Sequence, residues 1–122
     1  MMRLQESSEM YLETIYLLSK KNAVVRSIDV ADYMGYSKPS VSRAVSLLKK
    51  SGYVVMNEDS SLSLTEEGLK TAQKIYERHS VLTEFLKGLG IDDETADEDA
   101  CKMEHVISDK TLDAIKKFVT EK

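Results

Sequence analysis

The sequence predicts a mainly α-helical fold carrying one short β-hairpin, and three observations lead there. Apolar residues recur at three- and four-residue spacing through most of the chain. A serine, threonine or aspartate stands at the head of each helical stretch, where its side-chain oxygen can cap unpaired backbone N–H groups. Hairpin-like composition is confined to residues 53–64, where two apolar runs flank a polar turn.

A first helix is expected over residues 7–20, capped by Ser7 or Ser8. It holds Met10, Leu12, Ile15, Tyr16, Leu17 and Leu18 in helical register, and Lys20, Lys21 and Asn22 end it. The short extended run Ala23-Val24-Val25-Arg26 leads to Ser27, the expected cap of a second helix with Ile28, Val30, Ala31, Tyr33 and Met34, which Gly35 stops. Ser37 caps a third helix. Pro39 stands in its first turn, where a missing N–H costs least, and Val41, Ala44, Val45, Leu47 and Leu48 make its buried face. Two short helices joined at a glycine form a helix-turn-helix.

Tyr53-Val54-Val55-Met56 reads as a strand, 57–61 as a turn and Leu62-Ser63-Leu64 as the returning strand. That hairpin is a wing, so residues 1–64 read as an N-terminal winged helix-turn-helix. Thr65, with Glu66 and Glu67 behind it, starts a long helix through Leu69, Ile75, His79, Leu82, Phe85 and Leu86, closed by Gly88 to Gly90. An acidic helix is expected from Asp92 through Asp97, Cys101, Glu104 and His105, and a last helix from Ser108 through Leu112, Ile115, Phe118 and Val119. Residues 65–122 are thus a second, helical part.

The net charge of −4 is unevenly placed. Residues 1–64 carry eight Lys/Arg against seven Asp/Glu, whereas 65–122 carry nine against fourteen. Within 26–52, Arg26, Lys38, Arg43, Lys49 and Lys50 face only Asp29 and Asp32, which leaves a locally basic surface of the kind a phosphate backbone requires. No apolar run approaches the roughly eighteen residues that cross a bilayer, so a cytoplasmic chain with no membrane partner is expected. A single cysteine, Cys101, excludes an internal disulfide.

The third helix is where DNA sequence would be read, because a recognition helix meets base edges with its N-terminal residues. Ser37, Lys38, Pro39, Ser40, Ser42 and Arg43 occupy that end and the face opposite the Val/Leu stripe. Arg43 has the forked guanidinium that matches guanine O6 and N7, Pro39 offers apolar contact to a thymine methyl, Lys38, Lys49 and Lys50 are expected against phosphate, and Arg26 is a further expected DNA contact.

A second chemistry is written into Cys101-Lys-Met-Glu104-His105, which puts a thiol, a carboxylate and an imidazole on one helical face at i, i+3 and i+4. Met10 and Glu13 repeat the i, i+3 spacing, and His79 lies in the long helix. Such donors suit a borderline transition metal rather than magnesium or calcium. The same residue types also serve as a core cysteine, a gap-filling methionine and a solvated Glu-His pair, and spacing alone does not choose between these readings.

Met10-Tyr11-Leu12-Glu13-Thr14-Ile15-Tyr16, Ser37-x-Pro39-x-Val41-Ser42, Leu62-x-Leu64-Thr65-x-x-Gly68, Arg78-His79 and Cys101-x-x-Glu104-His105-x-x-Ser108-Asp109 together resemble the diphtheria-toxin-repressor family of metal-dependent regulators. The resemblance covers nearly the whole chain in order. It implies a winged-helix DNA-binding domain at 1–64 and a helical dimerisation and metal-binding domain at 65–122. It also implies a homodimer on a palindromic operator in double-stranded DNA, repressing metal-homeostasis genes, and no enzymatic activity.

Carried over residue by residue, Met10, Cys101, Glu104 and His105 match the site of the iron-responsive branch, and His79 matches a histidine of both branches. Glu13 resembles the manganese branch. Asp97 falls where the iron branch has a further histidine, and Thr83 where it has a glutamate. The short chain resembles members without the SH3-like third domain. Soft thiolate and thioether donors make Fe(II) the expected ion, with Mn(II) the alternative and Zn(II), Co(II) or Ni(II) binding in vitro. A metal-independent winged-helix regulator, with Cys101 and His105 in the core, is the contrasting expectation.

Overall fold

The computed structural model describes residues 6–121. Among them, six helices and one antiparallel hairpin follow in the order α1 (Glu6–Lys21), α2 (Ser27–Met34), α3 (Lys38–Lys50), β1 (Val54–Met56), β2 (Leu62–Leu64), α4 (Glu66–Gly88), α5 (Asp93–Met103) and α6 (Asp109–Thr120). This is the mainly helical, winged architecture that the periodicity predicts. The chain divides into two compact units, Met1–Gln73 and Lys74–Lys122, the division falling within α4.

In the first unit α1, α2 and α3 pack on one another, β1 against α3 and β2 against α1. Leu12, Ile15, Val30, Val41, Leu48 and Val54 are fully buried. Helical periodicity puts Val41, Val45 and Leu48 on one side of α3, so Lys38, Ser42, Arg43 and Lys49 remain exposed on the other. Leu47, expected on the buried face, is instead half exposed. Ser37 caps α3 by accepting the Ser40 N–H at 3.3 Å, with Pro39 in the first turn.

Two expected caps are corrected. The backbone is already helical at Glu6, so Ser7 and Ser8 lie inside α1 rather than at its head. At α2 the cap is Arg26 rather than Ser27. Arg26 is held extended because it bridges to Ser61 while the Leu62 N–H donates to the Val25 carbonyl at 2.7 Å. The helix therefore starts one residue earlier than a Ser27 cap implies, and the Asp29 carboxylate accepts the Arg26 N–H at 2.8 Å.

The wing pairs Val54 with Leu64 and Met56 with Leu62. Thr65 follows it directly as the cap of α4, its hydroxyl accepting the Gly68 N–H at 3.0 Å and donating to the Gly52 carbonyl at 2.7 Å.

The second unit is built around Leu82, Leu86, Ala96 and Ala100, against which Phe85, Ile91, Met103, Ile107, Leu112 and Ile115 pack. Asp92 caps α5 through the Thr95 N–H at 3.0 Å, and Ser108 caps α6 through the Thr111 N–H at 3.1 Å. Glu104 and His105, expected on the acidic helix, lie just past its end. The Val106 and Ile107 N–H groups both turn back to the Met103 carbonyl, at 3.1 and 2.9 Å, and close α5 with a tight turn that delivers the chain to Ser108. None of the residues of α6 is fully buried.

Candidate metal centre

Cys101 sits in the last turn of α5, and the turn beyond it carries Glu104 and His105. One donor atom from each of these three lies within 4.8 Å of the other two. His79, from α4, reaches the same carboxylate: its Nδ1 is 2.9 Å from Glu104 Oε2, while its Nε2 is 2.8 Å from Asp97 Oδ1. His105 Nε2 is 3.2 Å from Glu104 Oε1. Glu104 is wholly buried at 0% exposure, and His105 is buried beside it.

A carboxylate removed from water is stable only beside compensating positive charge. The Glu104 hydrogen bond, opposed by burial and reinforced by Asp97, pushes the His79 imidazolium up to about 9. That shift favours the protonated ring beside the buried Glu104 carboxylate. A divalent cation is the other way to satisfy the same charge. A thiol, a carboxylate and an imidazole, with the His79 imidazole against the same carboxylate, form a mixed N/O/S set that fits a first-row transition ion and differs from the all-oxygen cages of magnesium and calcium.

Of the other residues singled out as donors, Met10 is half-buried and Glu13 buried, one turn apart on α1 in the first unit. Thr83 donates its hydroxyl to the His79 carbonyl at 2.8 Å, a backbone contact that takes up the side chain standing at the position of the iron branch's glutamate. Asp97, which falls where the iron branch has a further histidine, is a direct partner of His79. A signal for it existed, since Asp97 stands four residues before Cys101 on one helical face.

On the basic face, Ser37, Lys38, Pro39, Ser42, Arg43 and Lys49 are exposed and Ser40 is partly so. The Ser37 hydroxyl also donates to Ser40 Oγ at 2.9 Å, and Arg43 Nη2 lies 3.5 Å from that oxygen. Arg26 is engaged by the wing: its Nε donates to the Asp59 carbonyl at 3.2 Å and its Nη2 lies 3.6 Å from Asp59 Oδ2. No local pattern in the sequence announces that pair, because its members are 33 positions apart.

Comparison with known proteins places this arrangement. The family model described as Iron dependent repressor, N-terminal DNA binding domain, matches residues 3–62, and that described as Iron dependent repressor, metal binding and dimerisation domain, matches residues 65–121. The chain is 36% identical over 118 residues to an HTH-type transcriptional regulator of Methanocaldococcus jannaschii, a match covering 95% of this chain and 94% of that protein. It is 38% identical over 108 residues to the transcriptional regulator MntR of Escherichia coli O157:H7, covering 88% and 70% respectively. The solved structure of the manganese regulator SloR is similar at a TM-score of 0.82 and 28% identity, over 99% of this chain and 56% of that one, so the chain spans little more than half of that regulator's length. With both family domains matched in order, the chain belongs to the iron-dependent repressor family, whose members are metal-dependent, DNA-binding regulators of transcription and not enzymes.

Proposed function

We propose that the chain is a cytoplasmic repressor of metal-homeostasis genes in which Met10, Cys101, Glu104 and His105, joined by His79 and Glu13, bind Fe(II) and thereby favour the form that grips DNA. The observation that carries this reading is the convergence of Cys101, Glu104 and His105 within 4.8 Å around a carboxylate that is wholly buried. A bound divalent ion supplies the positive charge and directional bonds that the Glu104 carboxylate otherwise takes from protonated imidazole.

The remaining work falls to the chain's own residues. Met10 and Glu13 belong to the helix-turn-helix half, whereas Cys101, Glu104, His105 and His79 belong to the helical half, so a shared ion couples the two. DNA must then raise metal affinity by the factor that metal raises DNA affinity. On α3, Arg43 and Pro39 read base edges, while Ser37, Lys38, Ser40, Ser42 and Lys49 position the helix on the backbone, with Arg26 at the wing. One recognition helix reads only a few base pairs. A homodimer formed in part through the unburied apolar side of α6, where Phe118 is 56% exposed, presents two helices to a palindromic operator with half-sites about 34 Å apart.

Thiolate and thioether donors favour Fe(II). Mn(II) is the second reading, and two observations favour it: the similarity to a regulator described as a manganese regulator, and the buried Glu13 carboxylate one turn from Met10. The test is DNA binding measured anaerobically with Fe(II), Mn(II) or chelator. Tight binding that appears with one of these ions and vanishes on chelation is the expected result, and chelator-insensitive binding overturns the proposal.

A further inference from the structure

Both ring nitrogens of His79 face carboxylates, but the two carboxylates differ in kind. Nδ1 points to Glu104, which is wholly buried, at 2.9 Å, and Nε2 points to Asp97, whose side chain is 69% exposed, at 2.8 Å. The lone pairs of an imidazole leave opposite edges of the ring, so one ion cannot meet both nitrogens. Only the Nδ1 edge meets Glu104, the carboxylate that clusters with Cys101 and His105.

We propose that Asp97 is the positioning residue of this centre: it accepts the Nε2–H of His79 and so holds the ring with Nδ1 turned toward Glu104 as the nitrogen that meets the metal. The inference rests on the reading of His79 and Glu104 as ligands. Neutral imidazole has one proton for two nitrogens, and the nitrogen that binds metal is decided by the hydrogen bond the other one makes. Asp97 makes that bond from the same helix that carries Cys101, one turn earlier, so α5 sets the thiol and the orientation of the imidazole together. Being on the Nε2 side, Asp97 acts through His79 and is not itself a ligand.

Zn(II) serves as the probe, in calorimetric titration and in long-range ¹⁵N–¹H spectra of the imidazoles of the Zn(II)-loaded protein. The wild type should show His79 protonated at Nε2 and metal-shifted at Nδ1. Asp97→Ala should lower Zn(II) affinity by about 10–100-fold with the number of ions per chain unchanged. Asp97→Asn, whose amide oxygen still accepts the hydrogen bond, should recover most of the affinity and the same tautomer. Loss of a bound ion in Asp97→Ala would make Asp97 a ligand, while unchanged affinity, or metal at Nε2 in the wild type, would remove its positioning role. Undiminished Zn(II) binding in Cys101→Ala and Glu104→Gln would instead overturn the metal site itself, and the two failures are thereby told apart.

Discussion

The carbonyl of Tyr53 occupies the space where a side chain on Gly68 would begin, so that a Cβ built there overlaps the Tyr53 backbone. The contact brings the entry to the wing against the first turn of α4, where Thr65 bonds the same segment through Gly52. Alanine in a helix is normally better than glycine by about 1 kcal/mol. Here Gly68→Ala should nevertheless destabilise the protein by about 1–3 kcal/mol, because a backbone has to move. Chemical denaturation checks this, and a gain in stability would show that the helix and strand separate freely.

The donors should be separable from the fold. Cys101→Ala and His105→Ala are expected to abolish metal-activated DNA binding with little change in helical circular dichroism. For the buried Glu104, the isosteric Glu104→Gln is the cleaner probe, since it keeps the volume and removes the charge. Near-normal metal response in Glu104→Gln and His105→Ala would count against the site.

His79 gives the metal-free protein a definite pH dependence. Its folded value of about 9 lies above the ordinary 6.5, so its contribution to stability is complete below about pH 6.5 and is lost as pH rises through about 9. Metal must displace that proton, and metal affinity should climb over the same window. His79→Gln should flatten both trends. Thermal melts of chelated protein from pH 6 to 9.5 and parallel metal titrations test this; indistinguishable slopes in the two proteins would refute it.

Readout on α3 divides by chemistry. Arg43→Ala should cost about 1–3 kcal/mol at one operator position and relax base preference there. Lys49→Ala should weaken all sequences alike and reduce the salt dependence of binding. Equal, sequence-independent losses from both changes would reassign Arg43 to phosphate.

Metal choice should respond to the first unit. Met10→Asp replaces a thioether with a hard oxygen donor beside Glu13, and the ratio of DNA affinities with Mn(II) and Fe(II) should shift toward Mn(II). An unchanged ratio would make Met10 a packing residue and leave selectivity to Cys101, Glu104 and His105.

What the sequence discloses divides along local and non-local lines. Ser37, Thr65, Asp92 and Ser108 were legible as caps because each bonds an N–H three residues on. Ser27 misled because the extended state of Arg26 is imposed by Ser61, far along the chain. The i, i+3, i+4 spacing of Cys101, Glu104 and His105 singled out three residues that do come together, though not on one helical face. They meet although the helix stops at Met103, and the signs of that stop are weak because no glycine or proline follows. The Asp97 to His79 bond needs two helices in contact, which periodicity cannot supply.

The end of α5 at Met103 also divides the three donors between two kinds of support. Cys101 is fixed to a packed helix, but Glu104 and His105 hang on three or four residues of irregular backbone ahead of Ser108. Rotations in that turn would alter the spread of the donors with α5 intact, but Ile107, packed on the core of Leu82 and Ala100, limits how far the turn can move. The thiol is thus held by a rigid helix, and the carboxylate and imidazole by a short turn seated at one end on Met103 and at the other on Ile107.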